Sequence, residues 1–136
     1  MDKIVKEKPY KEYKATVTKI VDGDTVEVLI DMGFGVFYKD KLRFLDFDAP
    51  ETFRPSCEEE EITGMTCKQF LTAYILDKKV ILRTFKQETE KYGRILAQIF
   101  IDGKDIIQEM KNKGFEKKPE WMTTSIRTIA IINKKE

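Results

Sequence analysis

The sequence predicts an α+β fold that is mainly β: a small barrel of five strands with two to three helices. Three observations predict it. Short stretches of alternating apolar and polar residues recur between turn signals. Helical spacing first appears after the third of these stretches. The chain has 136 residues, enough for one domain and too few for two ordinary ones.

Tyr13, Ala15 and Val17 alternate with Lys14, Thr16 and Thr18, which marks a half-buried strand over residues 10–20. Asp22-Gly23 is a hairpin-turn signal, and Thr25 to Ile30 returns with Val26, Val28 and Ile30 on one face. A second turn spans Asp31 to Gly35, and the third strand runs from Val36 to Leu45. Pro50, Pro55 and a polar run predict a long loop over residues 46–62. Gly64 to Lys78 pairs Phe70 with Tyr74 and Leu71 with Ile75 at helical spacing. Val80 to Phe85 is the fourth strand, Lys86 to Gly93 a polar connection, and Arg94 to Ile101 the fifth strand. A second helix covers Asp105 to Lys113 and stops at Gly114.

Residues 1–9 are charged and expected to be loose, leaving 10–136 as a single domain. Pro119 interrupts its last stretch, and Thr123 to Asn133 favours a final helix, with an extended segment as the alternative. Three strands, a helix, two strands and a helix fit a closed barrel of the OB type. Such barrels commonly bind nucleic acid, although a fold does not fix a function.

Composition narrows the chemistry. Hydrophobic residues make up 41%, which suits a globular protein. Charged residues make up 36%, yet Lys+Arg 25 against Asp+Glu 24 leaves a net charge of +1, so overall charge does not attract a polyanion. There is no histidine, which excludes Ser–His and Cys–His pairs and imidazole metal sites. Cys57 and Cys67 have no zinc spacing and read as two independent thiols, with a disulfide between them as the alternative. No apolar run approaches membrane-spanning length, and Met1 to Lys6 lacks a signal-peptide core. The chain as given is expected to be soluble, cytoplasmic and monomeric, without a membrane partner; secretion stays open if a signal was removed.

Three clusters carry possible chemistry. The first is Val21-Asp22-Gly23-Asp24-Thr25, in which Asp22-Gly23 forms the turn and Asp24 lies just beyond it. The second runs from Arg43 to Thr52, with one arginine and the acids Asp46, Asp48 and Glu51 among Phe44, Leu45 and Phe47. The third is Glu90-Lys91-Tyr92-Gly93-Arg94. Taken singly, each also reads as ordinary structure: a solvated strand edge, a polar strand end with its loop, and a tight bend opening a strand.

Together, DGDT, then R-x-x-x-x-D-A-P-E-T, then KYGR resemble the staphylococcal nuclease family over about residues 13–115. The resemblance implies a calcium-dependent nuclease that cleaves phosphodiester bonds of DNA, and of RNA, leaving 3′-phosphate ends. It implies that Asp24, Asp48 and the backbone carbonyl of Ala49 hold Ca²⁺. It implies that Glu51 is the general base or orients the attacking water, and that Arg43 and Arg94 grip the phosphate. Lys91 and Tyr92 match positions that contact the nucleotide. Elementary chemistry agrees: oxygen ligands suit a hard cation, and arginine grips phosphate through paired N–H donors.

The sequence departs from the family pattern in places. Glu58 to Glu61 stand where the pattern is rich in lysine, and they would repel phosphate or cap the helix expected from Gly64. They are also candidates for weak metal affinity. The late pair of stacking tyrosines is replaced by the neighbourhood of Phe115 and Trp121; Trp121 is a candidate base-stacking face, with a core or lid role as the alternative. Ile126, Ile129, Ile131 and Ile132 make the tail apolar. The rival readings are a non-catalytic OB module that binds nucleic acid or protein, and an interaction protein using the acidic run and the apolar tail.

Overall fold

Hydrogen-bond ladders, more than apolar runs, decide where these strands end. The structure, a computed structural model, describes residues 9–89 and 95–121. In chain order it has β1 (Pro9–Asp22), β2 (Thr25–Gly33), β3 (Val36–Phe44), α1 (Glu58–Ile75), β4 (Lys79–Thr89), β5 (Ile95–Ile101), the two-residue β6 (Lys104–Asp105) and α2 (Ile106–Asn112). A single 3-10 turn, Pro119–Trp121, ends the described chain.

The strands lie in the order β3-β2-β1-β4-β5-β6, and β3 also pairs with β5. That last pairing is parallel, Leu42 to Ile95 and Phe44 to Ala97, and it closes the sheet into the expected OB barrel. β1 serves both halves: Ala15 lies opposite Ile30 on β2 and Val80 on β4. Bulges between Val17 and Lys19, and between Ile20 and Asp22, let so long a strand bend around the barrel.

Inward residues fill the barrel. Val17, Val26, Val28, Leu42, Leu82 and Ile99 are all fully buried. α1 buries one stripe, Glu60, Gly64, Cys67, Leu71 and Ile75, at spacings of four and three that keep one helix face toward the core. α2 is capped by Asp105, whose carboxylate accepts from the N–H groups of Ile107 and Gln108. The chain leaves it at Gly114, with φ +77, as expected for a helix stop.

Several boundaries differ from the sequence expectation, the longest shifts being at the start of α1 and the end of β4. α1 starts at Glu58 rather than Gly64, because glutamate is a good helix former and favoured in a first helical turn, although Cys57 makes no side-chain cap bond. It ends at Ile75, before Asp77 takes a left-handed φ of 62°. β4 runs to Thr89, where the expectation was a polar connection from Lys86, because its backbone pairs with β5 again at Thr89, opposite Ile95, after a register shift beyond Thr84. The helix expected over Thr123 to Asn133 and the loose segment 1–8 lie outside the described residues.

Two glycines set how closely α1 approaches the chain around the first two motifs. A Cβ on Gly23 would come within 2.7 Å of the Ala49 Cβ and 3.0 Å of the Cys67 sulfur. A Cβ on Gly64 would come within 2.8 Å of the Pro50 carbonyl oxygen and 2.7 Å of Thr52 Cγ2. An exposed helical glycine gains about 1 kcal/mol when changed to alanine. Gly64→Ala is expected to do the reverse and destabilise by about 1–3 kcal/mol, since a backbone carbonyl must move. Urea unfolding measures it, and a stabilised variant would show that the loop yields freely.

Candidate functional site

The strand register assembles the site. Thr25 on β2 lies opposite Arg43 on β3, and the Phe44 N–H donates to the Asp24 carbonyl at 2.9 Å. Asp24, just beyond the β1–β2 turn, therefore sits beside Arg43. Arg43 Nη2 lies 3.3 Å from Asp24 Oδ2, forms an ion pair and hydrogen bond with Asp48 Oδ1, and donates to the Phe47 carbonyl at 3.4 Å. The Asp24 and Arg43 side chains are only 15% and 18% exposed, whereas Asp48 is 74% exposed, so the inner pair is shielded and the outer carboxylate faces solvent.

Asp24 also organises the next motif. Its Oδ2 accepts from the Ala49 N–H at 3.0 Å and its Oδ1 from the Thr25 hydroxyl at 3.0 Å. Ala49 is engaged here through its N–H. Glu51 lies three residues beyond Asp48, across buried Pro50, and its Oε1 accepts from the Phe53 N–H at 3.0 Å. Asp24, Arg43, Asp48, Ala49 and Glu51 line one cavity of about 390 Å³, together with Lys117 and Pro119. A larger cavity of about 560 Å³, between Leu29, Phe37, Ile81 and Phe100, has no such convergence of carboxylates on an arginine.

The structure thus brings together five of the residues the sequence singles out. Lys91, Tyr92 and Arg94 lie outside the described residues; the strand they precede begins at Ile95, opposite Leu42, next to Arg43. Trp121 is placed differently from the stacking expectation. It is 2% exposed, with the Lys118 ammonium 5.0 Å from its ring centroid, so it offers no open face to a base. Phe115 packs edge-on against Phe70 at 5.6 Å.

Three residues to which the sequence assigned no role in the site belong to it. Asp22, read from sequence as a turn residue, is half-buried; burial holds its carboxyl above the usual range against the Gly23 N–H bond, and the charges of Asp24 and Glu51 add to the rise. Lys117 lines the cavity, and its N–H donates to the Asp48 carbonyl at 2.8 Å. Glu60 is fully buried, and its carboxylate accepts from the Glu51 N–H at 2.9 Å and the Ser56 N–H at 2.7 Å. Extending the Leu71, Cys67, Gly64 stripe back by four residues finds Glu60, but only once the helix is known to begin at Glu58. Both cysteines are free thiols. Burial, with the charges of Asp24 and Asp22 behind it, pushes Cys67 up to about 12, which leaves it an inert core residue.

Among the described residues no set of three acidic or thiol side chains is arranged as a ready metal cage. The donor chemistry nonetheless suits a hard cation: two carboxylates converge on one point, where the Arg43 guanidinium now supplies the positive charge.

Fold and site together define the class, an OB barrel whose arginine is clamped between carboxylates at the mouth of a polar cavity. Comparison with known proteins narrows the class. The family described as staphylococcal nuclease homologue matches residues 41–130, from just before Arg43 to beyond Trp121. The chain is 32% identical over 93 residues to a thermonuclease of Staphylococcus hyicus, covering 68% of this chain and 51% of that protein. It is 31% identical over 101 residues to endonuclease YncB of Bacillus subtilis (strain 168), covering 73% of this chain and 44% of that one. Protein ParB of Escherichia coli is 26% identical over 99 residues, covering 73% and 48%. The chain belongs to the staphylococcal nuclease homologue family. It spans about half the length of these three relatives.

Glu60 gives the site an acid sensitivity. Burial alone would raise its carboxyl, but the N–H groups of Glu51 and Ser56 and the Lys117 ammonium outweigh burial and hold it below the usual range. A lowered native value means stability that is complete above the unfolded value and is lost as pH falls through the native one. Wild type is therefore expected to outlast Glu60→Gln in urea at neutral pH, with the gap narrowing toward acid pH. A gap that stays constant with pH would mean that the Glu60 charge contributes nothing.

Proposed function

We propose that this protein is a calcium-dependent nuclease that hydrolyses phosphodiester bonds of DNA, and of RNA, to 3′-phosphate ends. The observation that carries the reading is Arg43 held between Asp24 and Asp48 in the cavity that also contains Glu51. Family membership, and relatives whose names are thermonuclease and endonuclease, support it.

In this reading Asp24, Asp48 and the Ala49 carbonyl hold the cation. Bound Ca²⁺ neutralises phosphate charge and polarises the phosphorus centre. Arg43 grips the scissile phosphate. Its contacts with Asp24, Asp48 and Phe47 engage one nitrogen of a group with five N–H donors, which leaves donors to turn toward a phosphate. Arg94 joins it on the charge that grows in the transition state. Glu51, oriented by the Phe53 N–H, takes a proton from water. The water oxygen bonds to phosphorus, the bond from phosphorus to the 5′-oxygen breaks, and the departing oxygen is protonated from solvent. Lys91 and Tyr92 contact the nucleotide in this reading, and histidine is not needed.

Single-stranded DNA cleavage by the purified protein tests this, with added Ca²⁺, with chelator, and with Glu51→Gln alongside. Cleavage is expected with Ca²⁺, not with chelator, and Glu51→Gln is expected to lose about 10²–10⁴ in kcat while staying folded. A folded wild type that binds DNA without cutting it would favour the non-catalytic binding module. Arg94→Ala should depress kcat more than it raises KM if its hydrogen bonds form mainly in the transition state. A change confined to KM would make Arg94 a ground-state binding group.

A further inference from the structure

Among the described residues, Glu60 is the charged side chain that is completely buried. A carboxylate is costly to bury unless every oxygen is matched. Here the matching is complete and points in one direction. Oε2 takes the Glu51 N–H at 2.9 Å, Oε1 takes the Ser56 N–H at 2.7 Å, and the Lys117 ammonium lies 3.4 Å from Oε2. The two N–H groups stand at either end of the segment 51–56, so a single carboxylate ties that segment into a closed loop. Inside the loop the Phe53 N–H donates to the Glu51 side chain at 3.0 Å. Glu51 is thus fixed twice: its main chain by Glu60, its carboxylate by a residue of the loop that Glu60 closes.

We propose that Glu60 is a positioning residue for Glu51: from the first turn of α1 it sets the place and direction of the catalytic carboxylate without touching substrate. The inference rests on Glu51 being the proton acceptor. Three donors, one of them charged, converge on Glu60, and only an ionised carboxylate accepts from all of them with no hydrogen of its own to place. Glutamine in its place keeps the size, accepts on one side only, and turns an N–H₂ toward another donor. The loop then loses one of its two ties, and Glu51 is free to move. Displacement of a reacting group by about 1 Å can cost about 10²-fold in rate. Lys117 extends the same network, since its N–H holds the Asp48 carbonyl at 2.8 Å.

The test is a double-mutant cycle on single-stranded DNA cleavage in Ca²⁺, using the full chain as wild type, Glu51→Gln, Glu60→Gln and the pair. Glu60→Gln is expected to lower kcat by about 10-fold to 10²-fold with KM changed less than about 3-fold. If Glu60 acts through Glu51, adding Glu60→Gln to Glu51→Gln lowers kcat no further. A merely structural residue would multiply its loss onto the Glu51 variant, and that result overturns the inference, as does unchanged kcat in a folded Glu60→Gln protein. Should Glu60→Gln fail to fold, Glu60→Asp, which keeps the charge but is one methylene short of both donors, carries the same cycle. A wild type that cleaves nothing overturns the proposed function and this inference together; active wild type, strongly slowed Glu51→Gln and a Glu60 variant that multiplies that loss overturn this inference alone.

Discussion

The contact between Asp24 and Arg43 joins the barrel to its chemistry. Both side chains are largely shielded, so each needs the other. Removing one partner from a shielded pair leaves an uncompensated charge, a change of about 3–5 kcal/mol where burial is complete and less here. The same Asp24 carboxylate takes the Ala49 N–H, which positions the Asp48-Ala49-Pro50-Glu51 turn. Two strands in register and one loop are therefore tied through one aspartate. The Thr25 to Arg43 register is itself fixed by the alternation of Val26, Val28 and Leu42 into the core, because a one-residue slip would turn Arg43 inward.

α1 supports the loop from the other side, and its support depends on missing atoms as much as present ones. Gly64 lets the helix approach the Pro50 carbonyl, Gly23 lets the β1–β2 turn approach Ala49 and Cys67, and Glu60 supplies the acceptors at the end of the helix. A helix that only plugged a barrel would place apolar side chains at all three levels. This one gives up packing near its N-terminus, while Leu71 and Ile75 fill the core further along.

Much of the fold was legible because it is local. The alternation at Tyr13, Ala15 and Val17, the Asp22-Gly23 turn and the Phe70, Leu71, Tyr74, Ile75 spacing each report on neighbours in sequence, and the structure places strands, turn and helix there. The motif residues Asp24, Arg43, Asp48 and Glu51 were legible as a pattern, and register brings them into one cavity. What the sequence did not signal is set by chain segments that meet from far apart. Lys117 reaches Glu60 across nearly sixty positions, and nothing around either residue marks the meeting. The early start of α1 hid Glu60 as well: four glutamates in a row read as a polar loop, while the field of a helix N-terminus makes them a favoured first turn. Trp121 was left open between a stacking face and a core role for a related reason, since an aromatic residue in a polar stretch is ambiguous until its burial is known.

The acidic run looks adverse for the proposed action on a polyanion, and its formal charge overstates the conflict. Glu60 is buried, with two N–H groups and a lysine on its oxygens. Glu59 is paired with Lys118 at 2.7 Å. The first turn of α1 adds further partial positive charge beneath all four. Glu58 and Glu61 remain as exposed carboxylates on the helix surface. Within the cavity Arg43 and Lys117 stand among Asp24, Asp48 and Glu51, so the local balance is negative until a cation or a rearranged guanidinium changes it. A site of that kind resists a phosphate on its own and accepts one together with positive charge. For the proposed function, this placement of charges would couple substrate binding to cation binding, and a net charge of +1 for the whole chain says nothing against it.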